Sequence, residues 1–399
     1  MEIRKLKPEE NVQRELMASI CFLDQEPEDR YPWLKNPLEH TEMYEHTWGC
    51  FNDKGRLDSS LLMIPALMMI NGQAVKTGFA AGVITLPEAR RGGGIRKIYE
   101  KAFPAMKEEG VVFSFVYPFS FSYYRKFGYE QSYSRYKASI SLSALSIYPY
   151  PSGVEAYQKG DACADFVKVY EAFIADKNLA IKRNQCEWGA LLDRDPHLRR
   201  EFTYIHYNAQ GEPDAYVLYE AEATVEKYEH ILAIKELVWS DISGLHSMLG
   251  FIYGLRSEYQ EVTWEAPNCL DIFGLVKESW DVSVKWVHGG MNRIINLPRA
   301  LELIKAPVGQ GSVTLSVHDQ FLPFNNGKYR ITWESGAVSV EKTQTAPDVE
   351  TSIEILTQMM TGYLTPAQVL GKKDLSVYGK MDMLSALFPP KHLYMMELY

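Results

Sequence analysis

The fold of this chain is indicated most strongly by the stretch Val83-Ile84-Thr85-Leu86-Pro87-Glu88-Ala89-Arg90-Arg91-Gly92-Gly93-Gly94-Ile95-Arg96. An apolar, β-rich run ends here in a proline, two arginines and three glycines follow, and then a helix-forming segment begins. A strand, a glycine-rich turn and a helix in this order aim backbone N–H groups and the positive end of the helix dipole at one point. Glycine suits such a turn because a Cβ would block an anion and because some turn positions need a positive φ. The stretch therefore predicts a pyrophosphate-binding turn.

Two common nucleotide-binding signatures do not occur in the chain. There is no Gly-x-x-x-x-Gly-Lys-Ser/Thr, and no Gly-x-Gly-x-x-Gly followed about 20 residues later by an acidic residue. What remains is Arg90-x-x-Gly93 directly after a predicted strand. On this loop alone, a glycine-rich β-to-α turn with a solvated arginine pair is an equally good interpretation.

A second motif lies downstream of the glycine-rich loop. Residues 111–116 are dense in β-branched and aromatic side chains, which predicts a buried strand. The sequence then continues to Tyr124-Arg125-Lys126-Phe127-Gly128-Tyr129. The two motifs, in this order and at this spacing, resemble the acetyl-coenzyme A loop and the tyrosine-bearing turn of the GNAT superfamily of N-acetyltransferases. Ile95 departs from the pattern, which has a small residue at that position.

The resemblance extends along the chain to the Eis (enhanced intracellular survival) family of GNAT proteins. It is carried by both motifs, by residues 293–301 (Arg-Ile-Ile-Asn-Leu-Pro-Arg-Ala-Leu) and by the aromatic C-terminal Tyr399. It implies an α+β fold with two tandem GNAT-like acetyltransferase domains followed by a sterol-carrier-protein-like α/β domain. The expected domains are residues 1–150 with the cofactor site, 151–285 without a cofactor loop, and 286–399, which supplies the C-terminal carboxylate.

Local patterns agree with this division. Residues 9–22 predict a first helix, and Asn71-Gly72 between two apolar runs predicts a β-hairpin. Residues 139–146 are expected to close the first domain, and residues 290–296 to form the first strand of the third. The strand-to-helix passage at residues 237–244 has one glycine and no arginine pair, so no cofactor is expected in the second domain.

The composition of the chain argues against several classes of protein. The 399 residues carry 42 Lys and Arg against 51 Asp and Glu, a net charge of −9. This acidity argues against a nucleic-acid partner and suits a cationic substrate. We find no bilayer-spanning apolar run and no signal peptide, so we expect a cytoplasmic protein without a membrane partner. The cysteines lack Cys-x-x-Cys spacing, which predicts reduced thiols and no metal site; they are Cys21, Cys50, Cys163, Cys186 and Cys269.

The expected reaction fixes what the site must supply. Acetyl transfer from a thioester to an amine needs donors for the oxyanion, a base for the ammonium proton and an acid for the departing thiolate. The resemblance implies acetyl-CoA as co-substrate. It assigns the cofactor contacts to strand amides, to the glycine-rich loop and to the end of the next strand: Val83, Ile84, Thr85, Arg91, Gly92, Gly93, Gly94, Ile95, Arg96, Phe119 and Ser120.

The two catalytic roles also come from the resemblance. Tyr124 stands at the general-acid position, with Tyr123 as a rival if the register slips by one residue. The general base is the C-terminal carboxylate of Tyr399, with Glu397 as a side-chain alternative. A free α-carboxylate has a pKa of about 3.5, so burial would have to raise it or water would have to relay the proton.

The acceptor is expected to be a primary amine on an aminoglycoside-like or polyamine-like molecule. Asp24 could attract its charge and Trp33 could form an apolar or cation–π wall, although a solvated acidic loop explains that segment as well. A lysine of a protein or peptide is an alternative acceptor. From another class, the chain could be a non-catalytic protein that holds an apolar ligand in its C-terminal domain. The resemblance further implies a homo-oligomer, a hexamer.

Overall fold

A computed structural model describes residues 1–22, 44–193, 196–224, 230–268 and 270–396 of the chain. Three mixed sheets organise these residues, with helices packed on their faces. Strands and helices are numbered below in chain order.

The first sheet contains β4, the strand that leads into the glycine-rich loop. Its seven strands lie in the order β1 (Glu2–Lys5), β2 (Thr47–Phe51), β3 (Leu57–Ile70), β4 (Gln73–Thr85), β5 (Phe113–Val116), β15 (Met291–Ile294) and β6 (Glu130–Gln131). Its helices are α1 (Asn11–Cys21), α2 (Gly94–Glu108) and α3 (Phe121–Arg125). The predicted hairpin joins β3 to β4, because Asn71 and Gly72 both adopt positive φ, 53° and 79°.

The second sheet also has seven strands. Their order is β14 (Val282–His288), β7 (Ser134–Ser141), β13 (Glu261–Ala266), β12 (His230–Trp239), β11 (Pro213–Ala223), β10 (Glu201–Tyr207) and β8 (Val154–Ala156). Its helices are α4 (Ala164–Ile174), α5 (Gln185–Leu192), α6 (Pro196–Arg199) and α7 (Ile242–Gly254). This sheet packs against its helices in two separate hydrophobic cores, one with α7 and one with α4 and α5.

The first two sheets each contain a strand that the sequence assigned elsewhere. The predicted closing strand of the first domain, residues 139–146, is wrong in its placement: β7 pairs with β13 and β14 in the second sheet. The predicted opening strand of the third domain is also placed wrongly, since β15 pairs with β5 and β6 in the first sheet. Strand pairing is a long-range choice, and local periodicity carries no information about it.

The third sheet has five strands in the order β18 (Ala337–Lys342), β17 (Gly327–Glu334), β16 (Gly311–His318), β19 (Val349–Ser352) and β20 (Leu375–Val377). Its helices are α8 (Leu297–Leu301), α9 (Ile353–Thr361), α10 (Pro366–Val369) and α11 (Met381–Leu387). Buried side chains of this sheet share one core with the first sheet, where Phe79 and Phe113 belong to the same cluster as Val313 and Leu356. The third domain is therefore packed onto the first through apolar surface.

The C-terminal tail runs to the place where the three domains meet. Its strand β21 (His392–Leu393) pairs in parallel with β9 (Lys177–Asn178), which lies between α4 and α5 of the second domain. The Asn178 side chain accepts from Asn71 N at 2.7 Å and donates to Thr361 O at 2.9 Å. One amide side chain of the second domain thus joins the hairpin of the first domain to the third domain.

Candidate active site

Strand β4 separates from β5 at the point where the glycine-rich loop approaches. Its parallel pairing with β5 covers residues 77–80, and among the described residues no register pair joins residues 81–85 to β5. The other edge of β4 stays paired with β3 and contains a bulge, in which Gly82 and Val83 stand opposite Leu61. Gly82 has a φ of 53° there. The β5-facing edge at the predicted residues Val83, Ile84 and Thr85 is therefore open to a ligand.

The glycine-rich loop turns into α2 with two residues in the left-handed region. Arg91 has a φ of 67° and Gly93, the N-cap residue, a φ of 78°. A Cβ on Gly93 would meet no atom within 4 Å, so the turn faces open space. Because its cap residue is a glycine, α2 has no side-chain cap, and its first-turn amides and dipole face the same opening. This arrangement fits an anion such as a pyrophosphate.

The remaining residues of the loop divide between packing and exposure. A Cβ on Gly94 would lie 2.4 Å from Ser59 Oγ, so glycine lets α2 begin against β3. Ile95 is 5% exposed and belongs to the core of the first domain, which explains why a large residue is tolerated there. Arg91, Gly92 and Arg96 are exposed at the opening.

The corresponding helix of the second domain starts differently. Asp241 caps α7, and its Oδ1 accepts a hydrogen bond from Gly244 N at 3.0 Å. A carboxylate of the chain thus occupies the place where α2 offers free amides. The absence of a cofactor site in the second domain stays a prediction.

Tyr124 lies on α3 with its ring enclosed by aromatic side chains. It is 2% exposed, and the rings of Phe119, Tyr123 and Tyr129 lie 5.5, 5.2 and 6.0 Å from its own. Burial raises the pKa of the Tyr124 phenol above its usual value of 10.0. Phe119 is 73% exposed and Ser120 begins α3, so both predicted cofactor residues stand at the surface beside Tyr124.

Four predicted site residues, Asp24, Trp33, Tyr399 and the alternative base Glu397, lie outside the described residues. The tail is described as far as Met396 and is held in the second domain by Tyr394. The Tyr394 hydroxyl donates to Glu236 Oε1 at 3.3 Å. Glu236 also receives two hydrogen bonds of 2.9 Å from Arg183.

A cavity of about 570 Å³ opens beside this anchor, on the second sheet. Met396 and Arg135 are both among the residues that line it. Arg135 donates a hydrogen bond to the hydroxyl of Tyr117, the residue that follows β5. Through Arg135, one wall of the cavity is therefore hydrogen-bonded to the residue that follows β5. Six acidic residues line it against four basic ones: Glu187, Glu201, Glu220, Glu222, Glu236 and Glu265 against Arg135, Lys137, Arg183 and Lys235.

Sequence reasoning missed two buried ion pairs, Arg183–Glu236 and Arg293–Asp319. No local signal could have found them, because their partners lie far apart in the chain. It also missed the cap of α7, although Asp241 directly before a helical pattern is a usual N-cap signal. Within the described ranges, no cluster of residues has the composition of a metal site. Across the same part of the chain, no helix is both long and apolar enough to cross a bilayer.

Three family models match the chain in sequence order. The acetyltransferase (GNAT) domain matches residues 2–132, a second acetyltransferase (GNAT) domain residues 179–294, and the sterol carrier protein domain residues 297–396. No curated protein sequence is significantly similar to the chain.

Solved structures share the fold over the whole chain. A GCN5-related N-acetyltransferase from Anabaena variabilis is 21% identical with a TM-score of 0.87, and the match covers 100% of both chains. One from Kribbella flavida is 17% identical with a TM-score of 0.83, covering 100% of this chain and 98% of that one. Eis1 from Mycobacterium abscessus is 17% identical with a TM-score of 0.83 over 100% of both chains.

These matches agree with the order of the three domains. The chain therefore belongs to the GNAT acetyltransferases, which use acetyl-CoA as co-substrate, and it has an Eis-like fold of two GNAT domains followed by a sterol carrier protein domain.

Proposed function

We propose that this protein transfers the acetyl group of acetyl-CoA to a primary amine of a small cationic molecule, aminoglycoside-like or polyamine-like. The observation that carries the proposal is the cavity on the second sheet beside the tail, whose lining has two more carboxylates than basic groups. An excess of carboxylates in a concave site concentrates polycations and disfavours anions. A lysine of a peptide or protein carries a single amine charge and would draw less on this excess.

The first domain would hold the cofactor. In the proposal, backbone amides at Gly92, Gly93 and Gly94 and the uncapped start of α2 bind the pyrophosphate, with charge added by Arg91 and Arg96. The unpaired edge of β4 at residues 83–85 would donate to the thioester carbonyl, where negative charge develops during transfer. Phe119 and Ser120 would contact the cofactor from the end of β5.

Tyr124 would act as the general acid. Burial raises the pKa of its phenol, so the hydroxyl keeps its proton at neutral pH. The coenzyme A thiolate would form in the same desolvated surroundings, where it is a stronger base than in water. A neutral donor next to that sulfur stabilises the leaving group.

The C-terminal carboxylate of Tyr399 would accept the ammonium proton of the acceptor, directly or through water. Its support is the path of the tail, since Met396, three residues earlier, lines the acidic cavity. Glu397 is the alternative base. Assembly into hexamers and a cytoplasmic location remain predictions.

The test is release of coenzyme A thiol from acetyl-CoA with four classes of amine: aminoglycosides, polyamines, lysine peptides and small arylamines. We expect turnover with the polycationic classes, falling steeply as salt is added because the attraction is screened. Turnover with lysine peptides alone would replace the proposed acceptor. No turnover and no binding of acetyl-CoA would contradict the proposal and favour the apolar-ligand alternative.

A further inference from the structure

A buried ion pair connects the third domain to the turn that carries Tyr124. Arg293, on β15, is completely buried, and its Nη2 lies 2.6 Å from Oδ2 of the equally buried Asp319. Through Nη1 it donates a hydrogen bond to the carbonyl oxygen of Phe127. One guanidinium thus joins Asp319 of the third domain to the turn just after α3.

The carboxylate of this pair is fixed in place. Besides Arg293, Asp319 accepts from Phe321 N at 3.0 Å, Leu322 N at 2.8 Å and Asn325 Nδ2 at 3.0 Å. These four donors leave Asp319 little freedom, and its position determines where the guanidinium lies. The planar fork of arginine suits a site with two acceptors in fixed places.

Such a pair is costly to bury, and packing alone would favour apolar residues of similar size. Desolvation lowers the pKa of Arg293, and the charge of Asp319 opposes that shift. Hydrophobic side chains could replace the pair without loss of stability. The guanidinium nevertheless contacts the turn after α3, which points to a role in positioning that turn.

The turn that receives the guanidinium is built around Tyr124. The carbonyl oxygen of Tyr124 accepts from Phe127 N at 2.9 Å and from Tyr129 N at 3.4 Å. Gly128 adopts a φ of 78°, and a Cβ there would lie 2.7 Å from Nη1 of Arg293. The guanidinium therefore fits closely under a turn whose hydrogen bonds also fix the backbone of Tyr124.

The same segment of the third domain reaches the cofactor loop. The Phe321 ring lies 5.5 Å from the Phe127 ring, and the guanidinium carbon of Arg96 lies 5.4 Å from the Phe321 ring centre. The third domain thus contacts α2 and the Tyr124 turn through Phe321, which is only two residues from Asp319.

We propose that Arg293, held by Asp319, is a positioning residue for catalysis: it sets the Phe127–Gly128 turn and hence the location of the Tyr124 phenol relative to the cofactor sulfur. The inference rests on the proposed role of Tyr124 as general acid. It gives the third domain a part in the chemistry of the first that does not involve the C-terminal carboxylate.

The test is a double-mutant cycle in the full-length protein with acetyl-CoA and an active amine. Arg293→Lys keeps the charge but loses the fork. Arg293→Met combined with Asp319→Asn removes both charges, and the remaining side-chain oxygen can still accept from Phe321 N and Leu322 N. We expect each to lower kcat by ~10-fold or more with the KM for acetyl-CoA within about twofold, since a displacement of ~1 Å suffices for such losses.

The same changes in a Tyr124→Phe background should lower kcat by less than about twofold, because the group they position is already gone. Undiminished kcat in a folded variant, or an equal loss in both backgrounds, would overturn the positioning role alone. If Tyr124→Phe itself retains full activity, the proposed function of Tyr124 fails first and the positioning role falls with it.

Arg330→Met with Glu341→Gln is the control, a surface pair of the third domain with a separation of 3.2 Å. It should leave kcat unchanged. Melting temperatures of all variants, with kinetics measured well below them, separate positioning from loss of folded protein. Should the double variant fail to fold, Arg293→Lys alone decides between the two outcomes.

Discussion

The phenol of Tyr394 donates a hydrogen bond of 3.3 Å to Oε1 of Glu236, and this contact anchors the C-terminal tail in the core of the second domain. Glu236 is also held by Arg183 and by the hydroxyl of Tyr216, at 2.8 Å. The tail is therefore a fixed part of the fold up to Met396, on the path toward the acidic cavity.

Loosening this anchor should impair turnover more than folding. We expect Tyr394→Phe to cost about 1 kcal/mol of unfolding free energy, since it removes one buried hydrogen bond. It should also lower kcat several-fold by releasing the tail. Tyr216→Phe removes a shorter bond to the same carboxylate from within β11, so it should destabilise at least as much while leaving kcat unchanged. Equal kcat values for both variants at matched folded fractions would contradict a role of the tail in turnover.

The role of the terminal carboxylate can be tested by shortening the chain by one residue. Deletion of Tyr399 should abolish transfer and leave the melting temperature unchanged, because the anchor at Tyr394 is retained. Tyr399→Phe keeps the carboxylate and should stay active. Undiminished activity of the shortened protein would rule out the carboxylate of Tyr399 as the base.

Gly93 and Gly110 form a matched pair for testing the cofactor loop. They have φ values of 78° and 82°, and a Cβ on either would meet no atom within 4 Å. Alanine at either site should cost roughly 1 to 2 kcal/mol, the penalty of the left-handed region. Gly93→Ala should also raise the KM for acetyl-CoA by ~5-fold or more, because its Cβ projects toward the proposed pyrophosphate. Gly110→Ala lies beyond the other end of α2 and should leave that KM unchanged; a similar rise for both would count against the loop.

The pH dependence of turnover follows from the burial of Tyr124. Its pKa is raised, so the donor form persists past pH 10 and is lost only at still higher pH. The kcat profile should therefore show no alkaline loss from this phenol up to about pH 10. Tyr124→Phe should lower kcat by ~100-fold across the profile. Tyr123→Phe is the comparison; a large loss there and none at Tyr124 would shift the acid by one residue.

The acidic lining should govern affinity for the acceptor and not for the cofactor. Glu220 and Glu222 lie on β11 at the cavity, where Lys235 contacts both at 2.7 and 4.0 Å. Neutralising both with Gln should raise the KM for a polycationic amine by ~3-fold or more and weaken its salt dependence. Glu334→Gln with Asp382→Asn makes the same charge change in the third domain and should have no effect. An unchanged acceptor KM in the first variant would remove the cavity from the proposal.

Much of the local structure follows from the sequence. The helix predicted over residues 9–22 is confirmed as α1 (Asn11–Cys21), and the strand predicted over residues 111–116 is confirmed as β5 (Phe113–Val116). The hairpin at Asn71-Gly72 and the turn before α2 are present as expected, because positive φ and close approach are properties of the residues themselves. The fold class followed from two motifs whose spacing matched a known arrangement.

Tertiary structure alone decided which sheet each strand joins and which buried charges meet. β7 and β15 belong to other sheets than expected, and Arg293 finds Asp319 across the boundary between domains. By itself, the sequence determined the secondary structure, the glycine-rich loop and the identity of the residues around it. The folded chain decided that the loop stays uncapped, that the tail passes the second domain and that a third-domain carboxylate supports the Tyr124 turn. The physical reason is that periodicity and turn chemistry act over a few residues, whereas strand pairing and ion pairing depend on contacts between residues distant in the chain.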